Sequence, residues 1–288
     1  MSANCGCKGA RFCNFCIDSE RVKSLRIQPG SEDFSQYKCY VFSNGSAYYC
    51  PQLNAQSSVD EIANASRQSF DQSDDNFALS GISLIEEFLS EQEEMDIVCR
   101  IDNVEWLLSQ SGRRKQDYGP KVNFKHKKVK CERYEGVPDY ADVVLKRLES
   151  FGVEQFGNYQ PFELCNLEYD AQRQSQIEFH QDDTWIWGER LISLNLLESS
   201  VMTFENLSQN ALVFVYMPRR SILCFCDEAR YKWRHGIFSW HVQHRRIALT
   251  MREPGQDFKE GGDLYEKYGK DLIERGNRRL KTYPNKVN

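Results

Sequence analysis

The chain has 288 residues, 40% of them apolar and 27% charged, with a net charge of -5, which is room for one large β domain or two modest ones. The acidic balance argues against a general nucleic-acid coat while leaving scope for a local basic face, and no run approaches the roughly 20 apolar residues of a membrane span. Eleven cysteines, an odd number, and an N-terminus without an apolar h-region point to an intracellular chain with reduced thiols, cytoplasmic and nuclear, rather than a disulfide scaffold.

Residues 1–20 form a cysteine-rich head in which Cys5, Cys7, Cys13 and Cys16 make a C-x-C-x5-C-x2-C pattern. Four thiols so close can surround a tetrahedral zinc, and a short head without its own core needs such a staple; the bland alternative is a redox-reactive tail. Within 21–53, YKCYVFSNGSAYYC predicts a hairpin turned at Asn44-Gly45. The polar run 54–78 reads as a flexible linker.

A domain at 79–255 follows. Ser90 with Glu93 is a capping-box signature, and Met95, Val98 and Ile101 continue at helical spacing. A second helix fits PDYADVVLKRLESFG, with Pro138 near its start and Gly152 past its end. Between the two helices, 109–130 is a glycine-broken basic stretch whose default reading is a solvated surface loop. From residue 161, eight short alternating segments run to RRIALTMRE. They predict a mainly β, α+β fold: a double-stranded β-helix (jelly roll) with the N-terminal helices packed outside. Residues 256–288 read as a helix followed by a basic tail.

One of these segments, QIEFHQD, carries the first sign of chemistry. Residues i and i+2 of a strand share a face, so His180 and Asp182 are presented as one neutral nitrogen and one anionic oxygen ligand. Two histidines and one carboxylate on one face of an octahedral ion describe a non-haem Fe(II) site with open positions. The third ligand must come from His126, His235, His241 or His244. His126 precedes the strand region, and His241 and His244 flank a turn, where solvated positions are common. That leaves His235, on the strand-like YKWRHGIF.

An isolated H-x-D is common by chance, and the C-terminal context is what gives it weight. Arg246 and Arg252 are six apart in an alternating segment, hence on one face, and two inward guanidinium groups demand an anion. A dicarboxylate bound to iron would provide it.

H-x-D, a distant His, and R-x5-R starting eleven residues after that His make the chain resemble the AlkB family of Fe(II)/2-oxoglutarate dioxygenases. Further likeness to one branch of that family lies in CGCKGARFCNFC, SQSGRRKQDYGPKVNF, CNLEY and HQDDTWIWGERLISLNLL, spanning 1–20 and about 80–255. The resemblance implies Fe(II), 2-oxoglutarate and O2 as cofactors, with His180, Asp182 and His235 as iron ligands. It implies Arg246 and Tyr169 at the distal carboxylate of 2-oxoglutarate and Arg252 near its metal-proximal end. Asn166 is the candidate for the Asn of the family's Asn-x-Tyr, although here the run is Asn-Leu-Glu-Tyr. The implied reaction is hydroxylation of an N-methyl carbon with release of formaldehyde.

For the substrate, the branch implies methylated lysine on a protein, with actin and hence actomyosin as the partner, acted on by a monomer. The alternatives are N-methylated nucleobases in DNA or RNA, and, in another class, a non-catalytic scaffold, against which the complete ligand and arginine set argues. Arg113, Arg114, Lys115 and Tyr118 in the basic stretch are candidates for substrate contact. Trp185 and Trp187 are candidates for the substrate mouth, with core packing the competing role of at least one.

Overall fold

The computed structural model describes residues 5–25, 33–70, 73–151 and 157–283. From residue 163 the chain passes back and forth between two facing sheets, because its β-branched and aromatic segments are cut by turns every few residues. Glu163–Tyr169, Trp187–Leu196, Ile222–Phe225 and Arg246–Pro254 lie in one sheet; Ile177–His180, Ser200–Asn206, Ala211–Met217 and Arg234–Ile237 lie in the other. This is the jelly roll that the alternating segments predict. Between the sheets sit Ile192, Met202, Phe204, Phe225 and Ile237.

Earlier segments widen both sheets. The hairpin Lys38–Ser43 and Ser46–Tyr49 turns on Asn44 (φ 47°) and Gly45 (φ 82°), the paired left-handed residues of a type I′ turn. Its first strand joins Ala211–Met217 in parallel. Ile82–Ile85 pairs with Ile222–Phe225.

The expected linker is instead a packed helix, Val59–Ser66, started by a capping box in which the Ser58 hydroxyl accepts from the Glu61 N–H and Glu61 accepts from the Ser58 N–H. Val59, Ile62 and Ala65 lie against Val41, Val201 and Phe214 on the outer face of the second sheet. The segment looks polar because its apolar stripe is short and partly alanine, but a three-four spacing needs few residues to cover a sheet. Phe77–Ala78 adds an edge strand where the linker was also expected.

Helix Glu91–Asp102 has the capping box that its sequence announces. Its buried stripe is Ile97 and Ile101, with Glu94 accepting from the Leu197 N–H and from Arg219, while Met95 is exposed. Helix Ala141–Ser150 buries Ala141, Val144 and Leu148; Gly152 lies outside the described residues. The C-terminal segment folds back beyond its helix, Lys270–Gly276, so that Arg279–Leu280 pairs with Val137–Pro138.

His241 corrects a second expectation. It is fully buried, not solvated, with Nε2 3.0 Å from the Ser57 carbonyl, to which it donates. Burial lowers its pKa to about 4. The folded protein therefore binds this proton less readily than the unfolded chain, so stability is lost as the pH falls from about 6.5 toward 4. Denaturation at pH 7 and pH 4.5 should show a loss from this residue of roughly 2–3 kcal/mol. His241→Phe should remove that share of the slope. An unaltered pH dependence would refute the assignment.

Candidate active site

His180 and His235 are cross-strand partners in the second sheet, on Ile177–His180 and Arg234–Ile237. Their ring centroids are 4.4 Å apart. The strand ends at His180, so Asp182 is not held by alternation. It sits in the following loop, where Arg252 reaches across from the first sheet with Nε 3.2 Å and Nη2 3.3 Å from its two carboxylate oxygens. Arg230 donates to the Asp182 carbonyl at 2.7 Å. One ligand atom from each of His180, Asp182 and His235 lies within 4.8 Å of the others.

Protonation favours a cation here. The Glu178 carbonyl can only accept, so His180 Nδ1, 2.9 Å away, carries the proton and Nε2 is left as the ligand nitrogen. Burial lowers the His180 pKa to about 4 and drives that of His235 well below its ordinary value. Burial alone would raise the Asp182 carboxyl, but Arg252 holds it well below the carboxylate range. Two neutral imidazoles and one carboxylate are the donor set that Fe(II) takes in such sites.

Arg246 lies in the first sheet, paired in register with Tyr169 and 5.0 Å above its ring. It is fully buried. Its Nε donates to the Asn195 carboxamide oxygen at 2.5 Å, and its two Nη atoms have no hydrogen-bond partner. Burial pulls its pKa down, yet a guanidinium keeps its charge. A buried fork with both arms empty, in the same cavity as His180, Asp182 and His235, fits one carboxylate of a dicarboxylic acid. The residues thus fit iron and 2-oxoglutarate together.

Arg252 holds the Asp182 carboxylate and also lines the cavity that contains His180, His235 and Arg246. It bridges Asp182 to Glu163 (2.7 Å) and lies 4.5 Å over Trp187. Trp187 donates to Glu163 at 3.2 Å and is almost wholly covered. Trp185 packs on Phe258. Both tryptophans are packing residues here, and neither lines the cleft described below.

Asn166 points away. Alternation puts Leu167 and Tyr169 on the cavity face and Asn166 and Glu168 on the other, where Asn166 donates to Gln116 and Tyr140. Leu167 and Glu168, two residues between Asn and Tyr where the family pattern has one, reverse the face.

The basic stretch is not one loop. Arg114–Tyr118 is a strand beside Glu163–Tyr169, and its parity divides the four candidates. Arg114 is on the outer face, where with Arg173 and Arg245 it surrounds the buried Glu168. Tyr118 is on that face too, beside Tyr140. Arg113 and Lys115 face the other way, into a cleft of about 410 Å³ that contains His180.

The far side of that cleft comes from the N-terminal head: Gly6, Lys8 and Arg11. The sequence offers no signal that the head would reach the iron site. Its four cysteines converge, with all Sγ atoms within 4.8 Å of one another and none in a disulfide. Their chemistry fits a tetrahedral metal.

No protein-family model matches the chain. It is 53% identical over 279 residues to a DNA N6-methyl adenine demethylase of Caenorhabditis elegans, covering 96% of this chain and 95% of the relative. It is 35% identical over 301 residues to the alpha-ketoglutarate-dependent dioxygenase alkB homolog 4 of Mus musculus, covering 94% and 93%. The chain belongs to the AlkB family of Fe(II)/2-oxoglutarate dioxygenases. The solved structure of OsALKBH1 overlaps 62% of this AlkB-family chain at 13% identity, with a TM-score of 0.47. The family's cofactors are Fe(II), 2-oxoglutarate and O2, and the His-Asp-His group suits the first of them.

Proposed function

We propose that this dioxygenase removes N-methyl groups from adenine bases in DNA. The observation that carries the reading is the sign of the cleft at His180: Lys8, Arg11, Arg113 and Lys115 line it. Two of these cations are answered by carboxylates, Arg11 by Glu178 and Lys115 by Asp117, which leaves a net positive groove in an acidic protein. A phosphate backbone beside the reacting base would neutralise it. The name of the relative at 53% identity supports the same substrate. The methyl-lysine reading, with actin as partner, draws no comparable support from the groove, and a DNA substrate implies work in the nucleus.

Bound Fe(II) and 2-oxoglutarate would supply the oxidation: one oxygen atom of O2 would go to the methyl carbon and the other to succinate as CO2 leaves, and the resulting hemiaminal would break down to formaldehyde and the free amine. The chain's own contributions are separate. His180, Asp182 and His235 would hold the metal, with Glu178 fixing the His180 ring and Arg252 fixing the Asp182 carboxylate. Arg246 would orient the cosubstrate through its two free Nη groups. Arg113 and Lys115 would set the substrate backbone at the rim, since phosphate contacts position rather than specify.

Formaldehyde release should be seen from an oligonucleotide bearing N6-methyladenine and not from a methyl-lysine actin peptide. Arg113→Ala and Lys115→Ala should each cut kcat/KM for the oligonucleotide about tenfold and lower the salt slope of binding by about one. Release from the peptide alone would sink this substrate in favour of the methyl-lysine alternative.

A further inference from the structure

The cysteine head and the iron site are joined by a short run of contacts. Cys7 Sγ accepts from the Ser111 N–H at 3.2 Å, and the Ser111 hydroxyl donates to Glu178 Oε1 at 2.5 Å. Arg11, from the same head, holds the other oxygen of Glu178. The Glu178 carbonyl in turn accepts from His180 Nδ1. The head lies flush on its support: a Cβ on Gly6 would come within 2.8 Å of the Ser109 carbonyl oxygen.

Among the described residues, apolar packing is too slight to account for this fit. The buried core of the head is Cys13, Cys16 and Val22, edged by Phe12 and Leu25, far too little to order a segment of its size against its conformational entropy. The thiols themselves are arranged for a metal. Cys13 and Cys16 have their sulfurs 3.9 Å apart, close to the ~3.8 Å edge of a tetrahedron with metal–sulfur bonds of about 2.3 Å, and far beyond a disulfide bond. Besides the Ser111 N–H on Cys7, Arg21 donates to Cys16 Sγ at 3.3 Å. Such donors stabilise thiolate ligands.

We infer that the four cysteines hold a zinc ion, and that this zinc builds the outer wall of the substrate cleft by fixing Lys8 and Arg11 opposite Arg113 and Lys115. In this arrangement the metal has no part in the oxidation. It sets whether the groove has one cationic wall or two. The oligonucleotide used as probe rests on the DNA reading above; the wall itself does not.

The test uses the full chain in a His235→Ala background without iron, so that metal held by thiolates is what elemental analysis counts. The expected content is about one zinc per chain, lost in Cys13→Ser/Cys16→Ser and kept in Cys99→Ser. Anisotropy titration with the methylated oligonucleotide should show binding weakened about tenfold in the zinc-free double variant, with a salt slope lower by about two. Lys8→Ala/Arg11→Ala, which keeps zinc, should reproduce both changes, so that misfolding of the cysteine variant does not decide the matter.

Hydrogen exchange gives a readout free of any substrate: amides at 108–113, Ser111 above all, should lose protection when zinc is removed and regain it on re-addition. Deprotection without oligonucleotide binding by the parent protein would uphold the wall and overturn the DNA reading. Absent zinc, or exchange at 108–113 that ignores its removal, would overturn the wall.

Discussion

Asp182→Ala should abolish turnover, reducing succinate and formaldehyde below one-thousandth of the parent rate. The carboxylate is both the anionic ligand of the His-Asp-His group and the partner of a buried Arg252. Its loss removes a metal donor and leaves Arg252 with Glu163 alone. Truncating one member of a buried charge pair costs about 3–5 kcal/mol, so a lowered melting temperature should accompany the lost activity. His235→Ala separates the two effects. It removes a ligand of the same group but no charge pair, so turnover should vanish with a smaller loss of stability. Iron content measured on both variants checks the assignment, and near-parental turnover in either would sink it.

Arg246→Met should abolish response to 2-oxoglutarate without unfolding the protein. In the absence of cosubstrate the Arg246 guanidinium is a buried charge that meets the Tyr169 ring but no anion, and replacing such a charge by an apolar chain of similar length is often neutral or stabilising. The melting temperature of the ligand-free variant should therefore stay within a few degrees of the parent, despite the lost bond to Asn195. Saturating 2-oxoglutarate should stabilise the parent by about 3–4 kcal/mol, as binding at hundreds of times Kd requires, and the variant not at all. Arg246→Lys keeps the charge but not the fork. Its KM for 2-oxoglutarate should rise ten- to a hundredfold, since a hydrogen bond to a charged group is worth about 1.5–3 kcal/mol. An unchanged KM would make this arginine a structural residue.

What the sequence made legible follows its periodicities. Alternation from residue 161 onward announced the strands of both sheets, and R-x5-R on one strand face announced two buried guanidinium groups, because a period of two maps directly onto faces. The same rule fails where regularity stops. Asp182 shares a side with His180 only because Arg252, distant in the chain, pulls it there after the strand has ended. In 109–130 the density of charge hid a strand, and parity on that strand sends Arg114 and Tyr118 one way and Arg113 and Lys115 the other. The helix at 59–66 was masked by small apolar residues among polar ones. The contribution of Lys8 and Arg11 to the cleft was invisible, since no local pattern encodes which surface the cysteine-rich head will rest on.

The hairpin strand Lys38–Ser43 lies in parallel register beside Ala211–Met217, about 170 residues later in the chain. During synthesis at roughly 5–20 residues per second, its partner leaves the ribosome about 10–30 s after it does. Over that interval the hairpin has no sheet to join, and an isolated two-stranded hairpin is marginal in water. Closure of the second sheet is therefore a late, high-contact-order event, slow for a domain of this size. A chain lacking residues 38–49 would expose Ala211–Met217, whose side chains are almost all buried, as an open apolar edge able to recruit a neighbour's strand. Aggregation on truncation of the hairpin, with the iron ligands all still encoded, is the expected result.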